Sequence, residues 1–237
     1  MVVRGVVFDL DDTLYDERDY VCSGFAAVAR KVGDSDTAKA EVANWLWSAF
    51  EAGVRRDTFD RLRAAFPDVG KRWTTIDLVE AYRGHWPDIR LASDMVAMLD
   101  ALKGHGVRLG VLTDGPRASQ SAKVAALGLE RWFDPILMTG ALGPPFRKPG
   151  AAGFEAIAVG WGMDGPELAY VADNPEKDFL APRRLGWLTI RLWHPGQLYH
   201  ELQPADDDHR PDTAVGGPDE LLRVLSEPQR YRTLTSS

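Results

Sequence analysis

Residues 4–16 read RGVVFDLDDTLYD. A short apolar run from Gly5 to Phe8 breaks into Asp9, Asp11 and Asp12, with Asp16 just beyond. With the residues before it, the run (2–8, VVRGVVF) reads as a β-branched strand buried on both faces. Two like charges about 4 Å apart, at an effective dielectric near 20, repel by roughly 4 kcal/mol. So many carboxylates at the mouth of a buried strand therefore call for a cation among them.

Three further apolar runs also end in polar residues. They are VRLGVL (107–112) before Thr113, Asp114 and Gly115, LAYVA (168–172) before Asp173 and Asn174, and WLTIRL (187–192). PILM (135–138) is a weaker strand, and TAV (213–215) a short last one. Helical patterns lie between them. In residues 93–106 Met95, Met98, Leu99 and Leu102 share one face, and Gly104 and Gly106 supply a stop. Residues 118–129, 149–162 and 217–225 read similarly. Alternating strands and helices predict an α/β fold: a Rossmann-like parallel sheet flanked by helices.

Residues 15–90 break the alternation, with helix after helix and no convincing strand. Val42, Trp45, Leu46, Ala49 and Phe50 recur at helical spacing, as do Phe59, Leu62 and Phe66. This segment is expected to be an inserted, four-helix-like cap domain. Residues 1–14 and 91–237 would form a discontinuous core. Acidic and basic residues nearly balance in the insertion, so it offers no basic patch. The polar stretch 194–212 has no evident role, and residues 226–237 are expected to be a loose tail.

The chain has 237 residues and a net charge of −7. That balance argues against a nucleic-acid partner or an anionic membrane surface. No apolar run approaches the length of a membrane span, and DLDDT interrupts any signal-peptide pattern. Cys22 is the only cysteine, which leaves no internal disulfide and no cysteine zinc site. The expectation is a cytoplasmic enzyme.

In an open parallel sheet the ligand site lies beyond the carboxyl ends of the strands. Asp9 and Asp11, then Thr113, Asp114 and Gly115, then Lys148 in FRKPG, then Asp173, Asn174 and Asp178 all fall there. In order and spacing, DLDDTL, LTDG, RKPG and VADNPEKD resemble the four motifs of the haloacid dehalogenase-like superfamily. The helical insertion sits where that family's type-one cap is inserted. One departure is Ala172 before Asp173, where the family commonly has glycine.

The resemblance implies a phosphatase-like hydrolase. Asp9 would be the nucleophile, forming an aspartyl-phosphate. Asp11 would be the general acid and then the base. Mg²⁺, a hard octahedral cation, would be held by Asp9 and Asp173 carboxylates and the Asp11 carbonyl. Thr113, the Asp114 and Gly115 N–H groups and Lys148 would bind the phosphoryl group. Asp178, and less directly Asn174, would orient Lys148 or a metal-bound water. The substrate would be a small phosphorylated metabolite, of sugar or sugar-like type. A hexose-phosphate mutase on the same scaffold and a catalytically idle binding module are the alternatives. Haloacid dehalogenation is disfavoured by Asp11 and Asp173.

Asp12 is expected to tolerate an unusual backbone angle and Thr13 to bond loop backbone. Trp47, Arg55 and Arg56 are the cap residues nearest in kind to substrate contacts, while Trp45 belongs to an apolar face. His194, His200 and His209 are expected to be exposed, with DDDH (206–209) a solvated loop.

Overall fold

In the computed structural model, residues 3–231 are described. Six parallel strands form one sheet in the order β3-β2-β1-β4-β5-β6. They are β1 (Gly5–Phe8), β2 (Arg108–Thr113), β3 (Ile136–Met138), β4 (Leu168–Ala172), β5 (Leu188–Leu192) and β6 (Thr213–Val215). Side chains of a strand alternate between faces, and here both faces are covered. Val6 and Phe8 join one apolar cluster with Val111, Val171 and Ile190. Val7 joins the other with Leu112, Tyr170 and Phe154. This is why the strands read as continuous apolar runs rather than as alternating ones. The first strand is shorter than the expected 2–8. Arg4 lies exposed outside it, paired with Glu167, and Val2 lies outside the described residues.

Between β1 and β2 the chain makes α1 (Glu17–Val32), α2 (Asp36–Glu51), α3 (Thr58–Ala65), α4 (Pro67–Arg72), α5 (Thr75–Arg83) and α6 (Ser93–Gly104). The first five pack on one another around their own cluster of Val21, Phe25, Val28, Leu46, Leu62 and Leu78. Their starts are written in the sequence. Asp16 caps α1, Ser35 caps α2, and Thr74 with Asp77 forms a reciprocal capping box on α5. One more helix is present than the four-helix reading expects. Proline at the first position of a helix is preorganised for it, and Pro67 opens α4 directly after Phe66 closes α3.

The remaining crossovers are α7 (Arg117–Leu127), α8 (Ala152–Trp161), α9 (Leu180–Arg184) and α10 (Pro218–Ser226). Among the described residues no helix is long and apolar enough to cross a membrane. Of the expected tail, residues 232–237 lie outside the described residues. Residues 228–230 form a short turn of helix instead.

Candidate active site

The strand order reverses between β1 and β4, and their carboxyl ends are neighbours. Phe8 pairs with Val171, and the Asp9 N–H donates to the Val171 carbonyl at 2.9 Å. Asp9 and Asp173 therefore leave adjacent strands at one rim. Lys148 arrives from the chain after β3. Its ammonium lies 2.8 Å from Asp9 Oδ1 and 2.6 Å from Asp178 Oδ1, and it donates to the Tyr170 hydroxyl at 3.0 Å. All four charged groups are buried. Burial opposes charge on Lys148, but Asp178 and Asp9 outweigh it and hold the ammonium pKa above its ordinary value. For Asp9, burial dominates over Lys148 and raises its pKa.

The Lys177 ammonium also acts on all three carboxylates, yet two ammonium groups do not balance three carboxylates. Asp9, Asp173 and Asp178 place ligand oxygens within 4.8 Å of one another. Asp178 is engaged by Lys148 and by the Asn174 N–H at 3.0 Å. Asp173 Oδ2, in contrast, is buried with no hydrogen-bond partner. Burial, with Asp178 and Asp9 nearby, pushes the Asp173 carboxyl up to about 9. Buried, mutually repelling, partly unpartnered carboxylate oxygens are the donor set of a hard divalent cation, and the residues fit one. The Asp11 side chain stands apart from this set, as a carbonyl-only ligand would.

The phosphate-binding candidates line the neighbouring strand end. Thr113 Oγ1 is buried and accepts from Gln120 Nε2 at 2.9 Å. Gly115 adopts φ +123°, a region open to glycine. The Asp114 carboxylate is engaged by protein donors. It accepts from the Thr139 hydroxyl and, at 3.4 Å, from the Lys148 N–H, so it ties the two loops together. Asn174 turns its carbonyl oxygen to the Glu176 N–H at 3.0 Å, which stiffens its own loop.

A family model described as haloacid dehalogenase-like hydrolase matches residues 3–186. The chain belongs to that family. Among relatives, a glyceraldehyde 3-phosphate phosphatase of Methanopyrus kandleri is 27% identical over 95% of this chain and 98% of its own length. An (S)-2-haloacid dehalogenase of Pseudomonas sp. is 27% identical over 86% of this chain and 89% of its own. The solved structure of the HAD-hydrolase YfnB from Bacillus subtilis, bound to magnesium, is similar with a TM-score of 0.62. It is 18% identical and covers 95% of this chain and 99% of that one.

This haloacid dehalogenase-like hydrolase surrounds Asp11 with residues that the sequence reading passed over. Lys123 lies 2.7 Å from Asp11 Oδ1, Gln120 Nε2 donates to Oδ2 at 3.0 Å, and the Tyr15 hydroxyl donates to Oδ1. Burial would raise the Asp11 pKa, but Lys123 and these hydrogen bonds outweigh it and lower it. The Lys123 ammonium also lies over the Tyr20 ring, 3.9 Å from its centre. A signal existed. Gln120, Lys123, Val124 and Leu127 are spaced i, i+3, i+4, i+7, and all are buried. Two polar side chains on the inward face of an apolar helix require partners.

Asp12 takes φ +51°, as expected, and its carboxylate accepts from the Glu17 N–H at 2.8 Å and the Leu198 N–H at 2.6 Å. The Thr13 hydroxyl is buried without a partner, contrary to the expected backbone bond, because no backbone group comes within hydrogen-bond reach of it. His194, His200 and His209 are half-buried rather than exposed. His200 stacks on Trp193, and His209 lies 2.6 Å from Asp206. Among the described residues, DDDH contributes to no group of metal-ligating side chains.

A cavity of about 420 Å³ opens beside the Asp11 cluster, against the helical block. Arg55 and Arg56 line it, and Trp47 does not. Trp47 instead stacks on Phe50, with Arg18 over its ring. Trp45 packs edge-on against Phe66. The Arg55 guanidinium donates to the Phe50 and Val54 carbonyls and lies over the Phe50 ring, so it holds the wall.

Proposed function

We propose that this hydrolase is a Mg²⁺-dependent phosphatase that cleaves a small phosphomonoester through phosphorylated Asp9. In this reading residues 15–90 are a cap over a core of 1–14 and 91–237. The observation that carries it is Lys148 wedged between Asp9 and Asp178, with the uncompensated Asp173 carboxylate beside them. Lys148 is the cation in contact, and the donor atoms for a further one are assembled around the nucleophile. The relatives named as phosphatases for glyceraldehyde 3-phosphate and phosphoserine favour this reading. The intact Asp11 and Asp173 favour it over dehalogenation.

Asp9, Asp173 and the Asp11 carbonyl would hold Mg²⁺, which would supply the positive charge that lets an anionic side chain approach an anionic ester. Thr113, the Asp114 and Gly115 N–H groups and Lys148 bind the phosphoryl oxygens. An Asp9 oxygen attacks phosphorus, and the bond from phosphorus to the ester oxygen breaks. The leaving oxygen takes a proton from Asp11. Water then attacks phosphorus, Asp11 takes its proton, and Asp9 is regenerated with release of inorganic phosphate. Lys123 favours the ionised Asp11 that the second step needs and makes its protonated form a stronger acid for the first, and the proton Asp11 takes from water is the one it gives to the next leaving oxygen.

The test measures phosphate release from 4-nitrophenyl phosphate with Mg²⁺ and with EDTA, then with Asp11→Asn. Release is expected to require Mg²⁺. Asp11→Asn is expected to lower turnover by about 10²- to 10⁴-fold and to leave phosphate bound to the protein after acid quench. Equal release in EDTA, or no phosphoprotein in the variant, overturns the proposal.

Lys123→Met is expected to lower kcat by roughly 10²-fold. The loss should be larger for an alkyl than for a 4-nitrophenyl phosphate, because the poorer leaving group depends more on the proton. Lys123→Arg should restore part of it. A loss of equal size on both esters would place the role of Lys123 in the second step alone, and an unchanged kcat would reduce it to a structural pairing partner.

A further inference from the structure

The stretch 194–212, which the sequence leaves unassigned, begins with a segment pinned to the catalytic loops. Gln197 Nε2 donates to the Asp12 carbonyl at 2.7 Å and to the Leu192 carbonyl at 3.0 Å. The Leu198 N–H donates to the Asp12 carboxylate. Arg191 bridges the Asp173 carbonyl, at 2.9 Å, and the Tyr199 carbonyl, at 2.8 Å. Three consecutive residues are thus fixed to the loop of Asp9 and Asp11 and to that of Asp173. Against this rigid backbone the Tyr199 side chain is left 41% exposed. Leu198 and Tyr199 line the cavity beside the Asp11 cluster.

Phe25, Phe50, Phe59 and Val79 give the cavity apolar surface, and Arg56 and Arg83, both exposed, also line it. Glu17 also lines the cavity, and its N–H, like that of Leu198, donates to the carboxylate of Asp12, the neighbour of Asp11, which puts one end of the cavity against the loop of the reacting groups. A triose or a sugar placed here would press hydroxyls against the rings of Phe25, Phe50 and Phe59, where they lose water without gaining partners. Of the polar side chains in the lining, the exposed Arg56 and Arg83 stay hydrated, and two more are already engaged. Arg55 donates to backbone carbonyls, and the Thr58 hydroxyl donates to the Arg55 carbonyl at 3.1 Å. A cavity of this size and lining suits a ring.

Resting on the phosphomonoesterase reading above, we infer that Gln197–Tyr199 is a fixed wall of the leaving-group cavity, that the cavity selects phosphomonoesters of ring-sized apolar alcohols, and that Leu198 and Tyr199 determine this specificity. The inference turns the substrate class away from the sugar phosphates expected from the sequence.

The experiment compares kcat/KM for 2-phenylethyl phosphate and glycerol 3-phosphate, both esters of a primary alcohol. Acetyl phosphate serves as a substrate that needs no cavity. The wild-type protein is expected to hydrolyse acetyl phosphate with Mg²⁺ and to favour 2-phenylethyl phosphate about tenfold or more, the scale set by burying one ring. The preference should lie in KM. Tyr199→Ala and Leu198→Asp are expected to bring the ratio toward one, and Tyr199→Phe to keep it. Acetyl phosphate turnover with equal or better use of glycerol 3-phosphate overturns this inference and leaves the phosphatase reading standing. A ratio unchanged in both Tyr199→Ala and Leu198→Asp overturns the role of the segment. Absence of Mg²⁺-dependent acetyl phosphate turnover overturns the phosphatase reading itself.

Discussion

Asp9→Asn is expected to lower kcat by a factor on the order of 10⁴ or more, the scale of a lost covalent nucleophile, while leaving the protein folded. The two consequences have separate causes. An amide oxygen still reaches the metal and the phosphoryl group, but it cannot form a stable acyl-phosphate. Stability behaves differently. Asp9 is a buried carboxylate whose pKa is raised chiefly by burial, with Asp178 adding to the rise. A neutral isostere removes that desolvation and that repulsion, at the cost of its 2.8 Å ion pair with Lys148. The two effects oppose, so the melting temperature should change by only a few degrees. Steady-state turnover by single-batch protein, with deamidation checked by mass spectrometry, decides the point. Substantial activity in undeamidated Asp9→Asn would remove Asp9 as nucleophile.

The parts of the site that lay in sequence order at strand ends were legible because parallel-sheet topology converts order into place. Once the strands at 107–112 and 168–172 were assigned, Asp9, Thr113 and Asp173 could only meet at one rim, and they do. Chain order says nothing about which helix face turns inward over that rim. Lys123 and Gln120 were therefore missed, since a lysine in an exposed-looking helix is ordinarily solvated. The break between α3 and α4 was blurred for a local reason, because the apolar pattern of Phe59, Leu62 and Phe66 runs straight into Pro67. The 194–212 stretch stayed dark because it lacks periodicity. Its start is fixed by hydrogen bonds to Asp12 and from Arg191, and its end by others from Arg183, Arg184 and Thr189, and such contacts leave no pattern to read.

Lys148→Met should be the most damaging substitution to stability and activity together. The lysine is buried between Asp9 and Asp178, and it is the one side-chain cation within salt-bridge distance of either carboxylate among the described residues. Removing one partner of a buried ion pair leaves the other charge uncompensated, which typically costs about 3–5 kcal/mol. In a chain of this length each kcal/mol lowers the melting temperature by roughly 2–4 °C, so a fall of roughly 6–20 °C is expected without metal. Because the damage is electrostatic, a second cation at the same carboxylates should offset it. Millimolar Mg²⁺ is therefore expected to recover more of the melting temperature in Lys148→Met than in the wild-type protein. Adding Asp9→Asn to Lys148→Met should also restore stability, as expected of two groups in contact. Activity should fall by roughly 10²- to 10³-fold or more, as when a charge-stabilising donor is lost, and Mg²⁺ should not recover it, because the phosphoryl group has lost its own cation. Thermal melts of the single and double variants with and without Mg²⁺ check the argument. Equal Mg²⁺ shifts in wild type and variant would mean that Lys148 and the metal do not share carboxylates, and the three-carboxylate site would have to be redrawn.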